Sequence, residues 1–165
     1  MPPCKIHLLA DDADAQACAA LMASSDPWLT LGYGYETLLR TMRATGREIY
    51  LAHTAGQLTG FIILNLQGTF VGYIQTICIA AKFRGQGCGS QLVAFAEERI
   101  FRDHPNVFLC VSSFNHSARK LYESLGYGQV GELTEFLVAG HSEILLRKTR
   151  GPISTFKPAD PLVLR

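Results

Sequence analysis

The sequence predicts an α+β (mixed α/β) fold, a central and mostly antiparallel sheet flanked by helices. Three observations predict it. After a first strand at "KIHLL" the chain reads as helical until about residue 44, and the period then changes to that of strands over residues 48–80. Turn signals at "TAGQ" and "LQGT" cut the stretch after Glu48 into three strands joined by tight turns, the mark of an antiparallel meander. Beyond the meander, segments of helix and strand length alternate, which gives the sheet helices to cover it.

The elements follow in order. "KIHLL" has the length and composition of a first strand, and Asp11, Asp12 and Asp14 then supply a cap and first-turn charge for a helix running to about Met22. "SSDPWLTLGYG" breaks that pattern with Pro27, Gly32 and Gly34. A second helix, residues 35–44, carries Leu38, Leu39 and Met42 at helical spacing. After the meander a helix over residues 87–102 places Leu92, Ala96 and Ile100 on one face. "NVFLCVSS" is an apolar strand, and "NHSARKLYESLG" a helix opened by Asn115 and ended by Gly126. "GYGQVGEL" and "HSEILLRK" are the last strands, separated by the loop "TEFLVAG". Residues 1–148 thus form one domain and 149–165 a tail. With three prolines and no period, the tail wraps a surface, docks on a partner subunit or stays partly disordered.

A chain of 165 residues supports one domain with a real core. Its formal net charge of +1 leaves no basic stripe for nucleic acid or a membrane surface, and its apolar runs are too short to span a bilayer. "DDAD" interrupts any signal-peptide core. Five scattered cysteines without CxxC or a zinc-type pattern read as reduced thiols, which with the other features predicts a cytoplasmic protein. His53, His104 and His116 are isolated, so no metal is expected. The apolar end "PLVLR" makes a homodimer an expectation to test.

"FRGQGCGSQL" sets Gly85, Gly87 and Gly89 at alternate positions just before a helix. Glycine is costly there in backbone entropy, so the chain needs bare backbone at that point. The first amides of a helix lack intrahelical partners and lie at the positive end of its dipole; with side chains out of the way they converge on a diphosphate, and Arg84 adds a charged contact. A Walker loop would end in Gly-Lys-Ser/Thr, whereas Gly89 is followed by Ser90 and Gln91. A dinucleotide-binding GxGxxG would lie in a parallel strand–helix–strand unit, whereas these glycines alternate after a meander.

"ICIAAKFRGQGCGSQL" resembles the acetyl-CoA-binding motif of the GNAT superfamily of N-acetyltransferases, Arg/Gln-x-x-Gly-x-Gly/Ala, through Arg84, Gly87 and Gly89. "NHSARKLYESLGY" is similar to a second segment of that family through Asn115, Ala118, Leu121, Tyr122, Gly126 and Tyr127. The resemblance spans most of residues 5–148 and implies a GNAT-like acyl-CoA N-acyltransferase fold. It implies that the backbone at Ile77, Cys78 and Ile79 pairs with the pantetheine arm. Arg84, Gly85, Gln86, Gly87, Cys88, Gly89 and Ser90 would hold the pyrophosphate. Asn115 would contact the cofactor arm, and Tyr122, on the same helical face as Ala118, would reach the thioester sulfur. A phenol there can protonate the departing thiolate. Without the motif, a Tyr flanked by Leu121 and Leu125 reads as half-buried packing.

Attack on the thioester needs a neutral amine, hence a base or a water path. Neither the strand before the glycine loop nor "VFLCVSS" carries an acid, and Cys110 stands where ribosomal-protein N-terminal acetyltransferases of the family often have glutamate. Analogy with the fold moves the role to Glu135, His141 or Glu143, with Glu135 and His141 taken as the catalytic candidates; alternation in "HSEILLRK" equally allows His141 and Glu143 to share an exposed face. "AGHSEILLRK" also resembles the ending of that subgroup, which implies a peptide N-terminus as acceptor. Trp28, Tyr33, Tyr35 and Glu36 fall where the family shapes its acceptor pocket, although Trp28 with Leu31 could simply pin the loop to the core.

The sequence therefore predicts an acetyl-CoA-dependent N-acetyltransferase acting on a primary amine, a small molecule or a peptide N-terminus, by direct transfer in a ternary complex. A CoA-binding sensor or interaction module without catalysis, and a transferase of another acyl group, are the alternatives.

Overall fold

A computed structural model of the chain describes residues 3–159. Its elements are β1 (Lys5–Leu8), α1 (Asp12–Ala23), α2 (Tyr35–Arg43), β2 (Glu48–Thr54), β3 (Gln57–Asn65), β4 (Tyr73–Ile79), α3 (Cys88–Phe101), β5 (Asn106–Ser112), α4 (His116–Ser124), β6 (Gly128–Thr134) and β7 (Ser142–Thr149). The seven strands form one sheet in the order β1-β2-β3-β4-β5-β7-β6. Only β4 and β5 are parallel. Their connection is the long crossover that contains α3, as parallel pairing requires.

Local chemistry sets the helix ends. Asp11 caps α1 by accepting the Asp14 amide at 3.0 Å, and Asn115 caps α4 by accepting the Ala118 amide at 3.2 Å. Each face of the sheet has its own core. On one, α3 buries Leu92, Ala96 and Ile100, and α4 buries Tyr122, against Ile62, Leu64, Leu109 and Leu146. On the other, α1 and α2 bury Cys18, Met22, Leu38 and Met42 against Leu51, Phe61 and Ile63. Each fully buried Leu or Ile contributes roughly 1.5–3 kcal/mol, so these two layers carry most of the fold's stability. Arg99 ties α3 to the sheet by gripping both carboxylate oxygens of Glu48, at 2.7 and 2.9 Å.

One expected turn differs. In place of a tight turn at "LQGT", residues 66–72 form a longer connection between β3 and β4. Phe70 packs on Phe108 with ring centroids 5.1 Å apart, and the Gly72 carbonyl accepts the Phe108 amide at 3.0 Å. The loop is thus anchored to β5, which brings the start of β4 alongside it. After β7 the chain folds back over the corner between α3 and β5. There the Arg150 guanidinium lies 4.1 Å from the Phe101 ring centroid, and the Ala159 amide donates to the Arg102 carbonyl. The described part of the tail therefore wraps the surface. "PLVLR", and with it the expectation of a homodimer, lies outside the described residues. No helix among the described residues is long and apolar enough to cross a membrane.

Candidate active site

The sheet is forked at its centre. β4 and β5 pair at Tyr73 with Phe108 and at Ile74 with Leu109, and no further. At the same point the register of β4 with β3 slips: Ile63 faces Thr76 and Leu64 faces Ile74, so Gln75 is an extra residue, a β-bulge. The bulge turns β4 away from β5. Beyond it the edge of β4 at Ile77, Cys78 and Ile79 is free on the β5 side and lines a cleft of about 1070 Å³. Such an edge can accept an extended ligand as an added strand.

The glycine loop closes one end of the cleft. Gly87 is the N-cap of α3 with φ of 83°, a left-handed conformation that favours glycine. A side chain on Gly85 or Gly87 would meet no atom within 4 Å, so the space in front of both is open. The first amides of α3 face that space, the geometry that binds phosphate oxygens. Arg84 is fixed beside it by donating from Nε to the Ile79 carbonyl at 3.0 Å, and Ser90 lines the cleft. The side chains of Gln86 and Cys88 do not line the cleft, so these two residues can offer it only their backbone. Gln86 donates to the Lys82 carbonyl at 2.8 Å, and Cys88 is 1% exposed with its sulfur 3.2 Å from that of Cys4. Alternation along the loop aims Gly87 and Gly89 at the cleft and the residue between them at the protein interior.

Helix α4 forms the opposite wall with Asn115, Ala118, Leu121 and Tyr122. Tyr122 is 9% exposed, and burial pushes its phenol up to about 12. It is therefore protonated at neutral pH and able to donate. Its ring meets Tyr127 edge-on at 5.9 Å.

Aromatic and apolar groups line the remaining end. Trp28 and Tyr33 reach it from the segment between α1 and α2, Phe114 from the end of β5, and Phe136 with Leu137 from the loop between β6 and β7. Tyr35 and Glu36 do not reach it. Because α2 begins at Tyr35, the helix turns Thr37, Leu38 and Thr41 to the cleft; Tyr35 packs on the α1–α2 core and Glu36 is exposed.

The two expected catalytic candidates besides Tyr122 also lie elsewhere. Glu135 is exposed at φ of 56°, and its Oε1 accepts the Gly140 amide at 3.0 Å, which closes its own loop. His141 precedes β7 and meets Phe114 edge-on at 4.8 Å without lining the cleft. Glu143 does line it, only 5% exposed, with Oε1 accepting the Ser112 hydroxyl at 2.6 Å. Burial raises the Glu143 carboxyl above the usual range, and the Ser112 hydrogen bond pulls it partly back. Tyr73 and Cys110 lie close by, each raised chiefly by its own burial. Of the three acid or histidine substitutes weighed from the sequence, only Glu143 lines the cleft, while Ser112, Tyr73 and the Phe136–Leu137 wall were absent from the expected site. The apolar "FLV" inside the last loop was the one local signal for the wall.

The family model for the GNAT acetyltransferases matches residues 14–127. The N-alpha-acetyltransferase RimI of Mycobacterium tuberculosis is 29% identical over 148 residues, which cover 84% of this chain and 89% of that protein. Among solved structures, the chain is similar to a ribosomal-protein alanine N-acetyltransferase from Escherichia coli. The TM-score is 0.70 at 18% identity, over 90% of this chain and 95% of that one. An aminoglycoside N-acetyltransferase complexed with coenzyme A also gives a TM-score of 0.70 at 18% identity, over 90% of this chain and 98% of that one.

Proposed function

The chain belongs to the GNAT acetyltransferase family, and on that premise we propose that it moves acetyl from acetyl-CoA to the α-amine of a peptide or small molecule with an apolar group beside the amine. The acetyl donor follows from the family and from the fit of the cleft. The amides at Gly87 and Gly89 suit a diphosphate, Arg84 adds charge, and the free edge at Ile77, Cys78 and Ile79 suits an amide-bearing arm. Bound there, acetyl-CoA would supply an activated acetyl thioester at the fork. Tyr122 donates its proton to the departing sulfur, which favours a thiol over a thiolate as the leaving group.

The acceptor is inferred from the far end of the cleft, and one observation carries it: Trp28, Tyr33, Phe114, Phe136 and Leu137 face an opening whose only carboxylates, among the described residues, are Asp26 and Glu143. That lining suits one amine followed by apolar atoms. A polycation such as an aminoglycoside would call for several acids. The Mycobacterium tuberculosis relative is named for α-amine acetylation, which supports the same reading. The near-neutral net charge fits a peptide or small molecule better than nucleic acid.

Release of the CoA thiol tests this with peptides whose first residue is apolar or acidic, with an aminoglycoside and with free lysine. Peptides with apolar first residues should give the highest kcat/KM. Turnover confined to the aminoglycoside would contradict the reading.

A further inference from the structure

The amine in such a reaction arrives protonated, and Glu135 and His141, two of the three groups the sequence offered as its base, do not line the cleft. We propose that Glu143 removes the proton, with Ser112 as the residue that positions the carboxylate; this rests on the acetyltransferase reading of the cleft.

The location comes first. Glu143 on β7 faces Ser112 across the β5–β7 ladder, and Ser112 shares a face of β5 with Cys110, two residues earlier at the mouth of the fork. The carboxylate therefore enters the same space as Cys110 from the neighbouring strand. Two carboxylates line the cleft among the described residues. Asp26 is exposed, and its Oδ1 is held by the Thr30 amide and hydroxyl at 3.3 and 2.8 Å. Glu143 is buried, one oxygen accepts a hydrogen bond from the Ser112 hydroxyl, and the other has no protein partner among the described residues. No cation pairs with it there either. A buried acid without a counter-ion costs stability and is found mainly where it performs chemistry.

The other titratable groups of the cleft do not suit the task. Tyr73 on β4, Cys110 on β5 and Tyr122 on α4 are raised by burial and stay protonated at neutral pH; Cys78 is pushed up to about 12; Arg84 is a cation beside the glycine loop. Burial brings Glu143 toward neutrality, where a carboxylate is a better base while still ionised.

The protons balance. The ammonium gives one proton to the free oxygen of Glu143, which releases it to solvent. As the carbon–nitrogen bond forms and the carbon–sulfur bond breaks, Tyr122 protonates the sulfur and regains a proton from the new amide nitrogen.

Glu143→Gln should lower kcat on a peptide acceptor by about 100-fold or more at pH 7, while the Kd for acetyl-CoA stays within about twofold. The fall of kcat/KM toward acid that is independent of the acceptor's own pKa should vanish in this variant. Ser112→Ala removes the hydrogen bond that lowers the carboxyl, so the same fall should move to higher pH, and Ser112→Thr should restore it. That shift needs only the Ser112 variants, so it decides the matter even if Glu143→Gln folds poorly. Unchanged kcat in Glu143→Gln, or no movement of the acid limb in Ser112→Ala, overturns the assignment of the base alone. A parent protein that acetylates no amine overturns the functional reading, and the base with it.

Discussion

Tyr122 shows how much of this site one residue can reveal. By composition alone a tyrosine between Leu121 and Leu125 is packing, and the side chain is indeed buried. Its place in "NHSARKLYESLGY" and its position one helical turn after Ala118 are what direct its hydroxyl to the cleft. Tyr122→Phe keeps the ring and removes the proton. Turnover should fall by about 100-fold while acetyl-CoA affinity changes little, as comparison of initial rates with calorimetric Kd would reveal; unchanged turnover would exclude the role. Glu143 was harder to read. Alternation in "HSEILLRK" is compatible with an exposed face, and only the position of β7 between β5 and β6 buries the carboxyl.

At the scale of elements, periodicity located the helices and strands to within a few residues, because each has one apolar face and well-marked ends. The fork was not legible. It depends on β4 and β5 parting after two pairs and on the bulge at Gln75, and neither leaves a pattern in a single strand. The β3–β4 contact beneath the free edge is close. A Cβ on Gly60 would press against the Cys78 carbonyl and come within 2.8 Å of Ile79 Cδ1. Gly60→Ala should therefore destabilise the protein by about 1–3 kcal/mol, seen as a lower urea midpoint, and should weaken acetyl-CoA binding by displacing that edge. A midpoint equal to that of the parent would mean β4 yields freely.

For the whole molecule, the architecture divides its labour. Two cores hold a sheet rigid on both faces, and the one place where the sheet opens lies between the glycine loop, α4 and the aromatic wall. The glycine-loop end of the cleft was legible because its motif is local: arginine, alternating glycines and a helix start lie within a few residues. The aromatic end was less legible, since Trp28, Phe114, Phe136 and Glu143 come from four separate parts of the chain that only the strand order brings together. The central claim is that the cleft is an acetyl-CoA site, and titration calorimetry of acetyl-CoA into the parent and into Gly87→Trp tests it most directly. The indole would fill the open space before the first amides of α3. Loss of those charge-assisted hydrogen bonds, at about 1.5–3 kcal/mol each, should raise Kd by about 100-fold or more in a variant whose circular dichroism matches the parent. Equal affinity in the two folded proteins, or no binding to a ligand-free parent, would contradict the account.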